Sequence, residues 1–150
     1  MSRPPRLEVF NLQSECRVNT RTLARRLRSA ARFLSPGGNP LPAYVEFSLV
    51  SAQAIGEVHA EFLDDPAPTD VITFDHGEIL LCPAVARDQG RAHGRSEAEE
   101  LLLYGIHGLL HIQGWSDLTP KKRAAMHAEQ ERIWRRTTRA EKTAQKTARR

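Results

Sequence analysis

Cysteine is scarce here: Cys16 and Cys82 are the only two in 150 residues, and they lie far apart with no C-x-x-C spacing. A disulfide framework is thereby excluded, and in a reducing compartment both read as free thiols without chemistry. Long hydrophobic runs are missing as well. No segment approaches the roughly 18 apolar residues of a membrane span, and the longest apolar-rich stretch, Leu101 to Ile112, is interrupted by His107 and His111. The N-terminal MSRPPRLEVF is basic but lacks the apolar stretch of about 7–15 residues that a secretory signal needs, so a cytoplasmic location and no membrane partner are expected. No internal repeat is present. What remains, 40% hydrophobic and 27% charged residues, describes a soluble globular protein rather than a disordered one. A chain of this length suffices for one domain with a real core.

The charge is unbalanced toward the positive. A net charge of +4 and a pI near 9.5 point to an anionic partner, nucleic acid first. The basic residues cluster in RTLARRLRSAAR (residues 21–32) and in the C-terminal RRTTRAEKTAQKTARR (residues 135–150). The second cluster has almost no apolar content. The expectation is a folded domain over residues 1–136 followed by a basic, disordered tail over 137–150, either following an RNA backbone or simply solvated.

Along the chain, LEVFNL (7–12) reads as a strand. Asn19 or Thr20 caps a helix predicted to run to about Leu34, with Leu23, Leu27, Ala30, Ala31 and Leu34 on one face and arginines on the others. SPGGNPLP ends it. AYVEFSLVS alternates as a strand does, and AQAIGEVHAEFL (52–63) is helical in period until DDPAP breaks it. VITF (71–74) and EILL (78–81) are strands joined through Asp75, His76 and Gly77. A helix starts at Pro83 and runs to about residue 92. Ser96 and Glu99 form a capping box for a helix reaching about Gly114. A last helix starts at Thr119 with Pro at its first position. The order βαβαββααα predicts an α/β (α+β) domain, a small mixed β-sheet of about four strands flanked by about five helices.

The stretch YGIHGLLHIQGWSD (104–117) carries the chemistry. Residues four apart on a helix differ by about 40° in direction and about 6 Å in rise, so His107 and His111 project from one face. Two imidazole nitrogens so placed can reach one ion at about 2.0–2.1 Å. Gly114 ends the helix in a left-handed turn, and the returning chain brings Asp117 in as a third ligand with open positions left over. His59 and His127 lie on polar helix sides, His76 in a turn and His93 in a Gly-flanked loop, and all four read as surface residues.

HGLLHIQGWSD resembles the signature of the YbeY family, which reads H-G-x-L-H-L-x-G-Y-D-H: His107, Gly108, Leu110, His111 and Gly114 match, and Ile112 and Trp115 are conservative stand-ins. PTDVITF (68–74) resembles the family's P-T-D-V-L-S-F, GEILL its G-D-I-V-I strand, and AMHAEQERI its post-motif helix. The resemblance covers roughly residues 44 to 134. It implies a zincin-like metal helix and a metal-dependent endoribonuclease cutting single-stranded RNA, one Zn²⁺ per chain on His107, His111 and Asp117, and a place in maturation of small-subunit ribosomal RNA. Ribosomal RNA and the small ribosomal subunit or its associated proteins are the implied partners, with no signal for a particular oligomeric state. Three departures accompany it. The family's third histidine falls on Asp117, and its next-to-last aspartate on Ser116. An arginine that the family has six residues before T-D-V-L-S-F falls on Leu63, and an apolar residue cannot contact a phosphate or stabilise developing charge.

As a nuclease, the ion would activate water and polarise a phosphoryl oxygen. The spacing H-x-x-x-H-x-x-G-x-x-D is also that of metzincin proteases, but those need Glu after the first His as general base, where this chain has Gly108. An Fe(II) oxygenase site has no further support in the chain. Asp70 and Asp75 are the carboxylates near the ends of VITF that qualify as a base, Asp70 reading first as a turn or capping residue. Leu63 favours an alternative, a non-catalytic or weakly active, metal-stabilised ribosome-assembly factor.

Overall fold

The computed structural model describes residues 4–63 and 69–149. Alternation does most to define its sheet. In β2 (Tyr44–Leu49) the side chains of Val45, Phe47 and Leu49 fall on one face and are fully buried. β1 (Arg6–Asn11) runs parallel to β2, with Leu7 opposite Val45 and Val9 opposite Phe47. β4 (Glu78–Leu81) lies parallel on the other side of β2, and β3 (Val71–Phe74) closes the sheet antiparallel to β4. The strand order is therefore β1-β2-β4-β3.

Among the described residues five helices cover it: α1 (Thr20–Ala31), α2 (Ala52–Leu63), α3 (Pro83–His93), α4 (Glu97–Ile112) and α5 (Pro120–Ala148). The larger core lies between one sheet face and α1, α4 and α5, where Phe47, Ile79 and Leu81 meet Leu27, Leu101, Ile106, Leu109 and Met126. A smaller cluster on the opposite face joins Ile72, Leu80 and Cys82 to Ile55 of α2. The architecture is the small mixed sheet with flanking helices that the element order predicts. Among the described residues no helix is long and apolar enough to cross a membrane.

α4 is the central helix, buried on nearly every side from Glu100 to Gly108, as a helix apolar all round must be. Its start is fixed by the predicted capping box, Ser96 accepting from Glu99 N–H and Glu99 returning to Ser96 N–H. Two glycines let it approach its neighbours. A Cβ at Gly105 would lie 2.3 Å from Leu27, and one at Gly108 would lie 2.9 Å from Ile79 and 3.1 Å from Thr73 Oγ1.

Two of the boundaries that differ from the sequence reading have a clear physical cause. α1 ends at Ala31 rather than Leu34, because Phe33 and Leu34 bond back to the carbonyls of Ala30 and Ala31 in a tighter turn that prolongs the helical spacing. The stretch 137–150, read as a disordered tail, instead continues α5 to Ala148. Its Ala, Glu, Lys, Gln and Arg residues are strong helix formers, and extending a helix already nucleated by a docked segment costs little. Thr137 is buried, and Arg26 of α1 holds Glu141 at 2.9 Å.

Candidate metal centre

The end of α4 is built to turn. Gly114 adopts φ 101°, in the left-handed region that glycine enters without strain. Gly114 N–H bonds to His111 O and Trp115 N–H to Leu110 O, both at 3.0 Å, which is the paired Schellman closure of a helix C-terminus. The chain reverses there and carries Asp117 back over the last turn of the helix.

The result is a convergence of three side chains. His107 Nε2 and His111 Nε2 lie 3.0 Å apart, and Asp117 Oδ2 sits 3.8 Å from the first and 3.6 Å from the second. Among the described residues this is the one group of three or more His, Cys, Asp or Glu able to hold a metal ion. Ligands at about 2.0–2.1 Å from a tetrahedral ion stand about 3.3 Å from one another, so the spacing fits such an ion. The two histidines are largely buried, with 18% and 29% of their side chains exposed, whereas Asp117 is 40% exposed. Access to the site is therefore from the Asp117 side.

Both far nitrogens have an oxygen partner, which suits the Nδ1–H tautomer in each ring. His111 Nδ1–H donates to the carbonyl of Trp115 at 3.2 Å, and His107 Nδ1–H donates to Gln130 Oε1 at 2.9 Å. Each ring then presents an unprotonated Nε2, and two lone pairs face each other across 3.0 Å with a carboxylate beside them. Such an arrangement repels unless a cation sits among the three atoms. Burial, and after it the neighbouring His111, pushes the His107 pKa below its usual value, while Gln130, Asp70 and Asp117 act in the opposite direction. Depression keeps the imidazole in its neutral, metal-binding form.

Gln130, on α5, is the functional residue that sequence reasoning missed. Its signal was present in the AMHAEQERI helix, but only the packing of α5 against α4 shows which ring it holds. Ser116 turns out not to orient either histidine: its hydroxyl accepts from Leu118 N–H at 3.2 Å. Asp70 caps β3 through Val71 N–H at 2.8 Å and also lies close enough for its charge to act on His107. Asp75 lies in the exposed turn between β3 and β4. Leu63 is the last residue of α2, and its side chain falls outside the described residues.

The other histidines stay apart from the cluster. His76 and His127 are exposed, and His59 is half-buried on α2. His93 is the final residue of α3 rather than part of a loop, 3.3 Å from the buried Glu100. Cys16 and Cys82 are free thiols, the first half-buried and the second buried, and burial raises the pKa of both.

Fold and site together define a single-domain α/β protein whose buried central helix presents a His-x-x-x-His pair to a returning carboxylate. The family model described as "Endoribonuclease YbeY" matches residues 8–138, and the chain belongs to that family. It is 35% identical to Endoribonuclease YbeY of Elusimicrobium minutum over 101 residues, covering 59% of this chain and 71% of that one. With Endoribonuclease YbeY of Mycolicibacterium paratuberculosis it shares 34% identity over 128 residues, 71% of this chain and 72% of the relative. The solution structure of TM1509 from Thermotoga maritima superposes with a TM-score of 0.61 at 22% identity, over 92% of this chain and 93% of that chain. That likeness speaks for the fold alone.

Proposed function

We propose that the protein is a metal-dependent endoribonuclease that cuts single-stranded RNA, with His107, His111 and Asp117 as ligands of one zinc ion. The observation that carries the metal is the pair of Nε2 atoms 3.0 Å apart, each with its opposite nitrogen already engaged and a carboxylate oxygen beside both. Membership of the endoribonuclease family supports RNA as the substrate, and the resemblance noted in the sequence extends that to small-subunit ribosomal RNA in the cytoplasm.

A divalent ion held here supplies Lewis acidity, polarising a phosphoryl oxygen and making water a nucleophile at neutral pH. The chain's own residues do the rest. Gln130 and the Trp115 carbonyl fix both rings in the ligating tautomer. Asp117 adds negative charge at the open side, where substrate enters. Peptide hydrolysis is disfavoured sterically as well as chemically, because a side chain at Gly108, where a protease carries its glutamate, would collide with Ile79 and Thr73.

Purified full-length protein is expected to hold about one zinc per chain and to cut single-stranded RNA, and His107→Ala to lose both. Absence of stoichiometric metal together with undiminished cutting by His107→Ala would end this reading. Leu63 favours a second one, a weakly active assembly factor, since no cation stands at that position in the sequence. If the missing guanidinium limits the rate, Leu63→Arg raises cleavage by tenfold or more, in line with the roughly 10²–10³-fold that a single charge-stabilising donor contributes. An unchanged rate in Leu63→Arg removes the basis for that second reading.

A further inference from the structure

A cleft of ≈ 490 Å³ opens at the C-terminal end of α4, and none of the three candidate ligands lines it. It lies between the loop that follows α1, at Gly37 and Gly38, and the chain that leaves α4, at Trp115 and Ser116, with Lys122 and Ala125 of α5 completing it. The loop is pinned in place: Asn39 N–H donates to Gln113 O at 2.9 Å and Gln113 Nε2–H to Ser35 O at 3.2 Å. A Cβ at Gly38 would lie 2.9 Å from that same Gln113 oxygen, so the close approach requires glycine.

Three features give the cleft a chemical character. Trp115 lines the cleft with a half-buried indole that also packs against the main core, and its backbone carbonyl is the one that orients His111. Lys122 is exposed on the first turn of α5, which contains no acidic residue, and its ammonium has no ion-pair partner among the described residues. That turn lies at the positive end of a long helix, where anions are favoured. Finally, the lining runs from Gln113 to Ser116, the segment that joins His111 to Asp117, so the cleft shares its wall with the chain that carries two of the three candidate ligands.

We propose that the cleft seats one nucleotide of single-stranded RNA adjoining the phosphate to be cut, with its base stacked on Trp115 and its phosphate paired with Lys122. This rests on the ribonuclease reading of the neighbouring centre. The volume falls within the range of about 300–1,000 Å³ typical of small-ligand sites. An aromatic ring beside a cation is the combination by which single strands are held without base-pair readout. A base inside a duplex is already stacked and cannot reach the indole, so the cleft selects unpaired RNA.

The test uses zinc-loaded, full-length protein carrying Trp134→Phe, which leaves Trp115 as the sole tryptophan. A single-stranded phosphorothioate RNA ten-mer, whose backbone resists cutting, is expected to quench Trp115 fluorescence, and the same strand annealed to its complement to leave it unchanged. Lys122→Ala, a surface change, should weaken ten-mer binding roughly 3- to 10-fold and flatten its salt dependence by about one phosphate's worth. In cleavage assays Trp115→Leu should raise KM more than it lowers kcat, with zinc content unchanged because the backbone carbonyl on His111 remains. Unquenched Trp115 fluorescence while RNA is still cut, or a wild-type KM in both variants, would overturn the proposal. Quenching by the single strand without any cleavage would retire the ribonuclease reading and leave the nucleotide cleft standing.

Discussion

His107 and His111 reach the same point by different means, and the difference is testable. His111 is held by a main-chain carbonyl, which no side-chain substitution removes; His107 depends on the Gln130 side chain. Gln130→Leu deletes that acceptor while keeping the volume. Zinc affinity should then fall about 10- to 100-fold, the usual cost of losing a residue that orients a metal ligand. Competition with a chromophoric chelator measures it, and Gln130→Glu, which keeps an acceptor, should retain most of the affinity. Gly108 makes a complementary point. A Cβ there would lie 2.9 Å from Ile79, which is fully buried in β4, so Gly108→Ala overpacks the core beneath α4. The expected loss is about 1–3 kcal/mol, read as a drop in thermal midpoint of about 2–4 °C per kcal/mol.

At the scale of elements, the parts legible in the sequence were those governed by local rules. Asn19, Ser96 and Thr119 cap the helices they were expected to cap, and Gly114 turns the chain where a left-handed residue was required. VITF and EILL are strands with the expected ends, because the turn through Gly77 separates them sharply. Tertiary contacts decided the rest. Nothing local announces that Gln130 faces His107, since that follows from the packing of α5 on α4. The end of α5 was misread for the same reason: its composition is polar, and its order depends on Thr137 being buried and on Arg26 meeting Glu141. Removing residues 138–150 should therefore destabilise the domain. With the Arg26 and Glu141 side chains 13% and 26% exposed, the pair is screened only in part, and its loss should cost about 1 kcal/mol. A thermal midpoint lower by about 2–4 °C would follow, whereas an unstructured tail would leave it unchanged.

Taken as a whole, the molecule separates its charges. α5 holds 9 of the 22 Lys and Arg residues but only 3 of the 18 acidic ones, a marked positive excess on one helix. The same helix supplies Gln130 to His107 of the candidate metal centre and Lys122 to the cleft at the end of α4. One element thus links a polyanion-attracting surface to the candidate site, and the proposed endonuclease would need no strand end to cut. A circular single-stranded RNA, having no ends, tests this most directly. Zinc-loaded protein is predicted to linearise the circle, and cutting should stop with a chelator and with His111→Ala. An intact circle with the wild-type protein, or linearisation that persists in His111→Ala under chelation, would contradict the account.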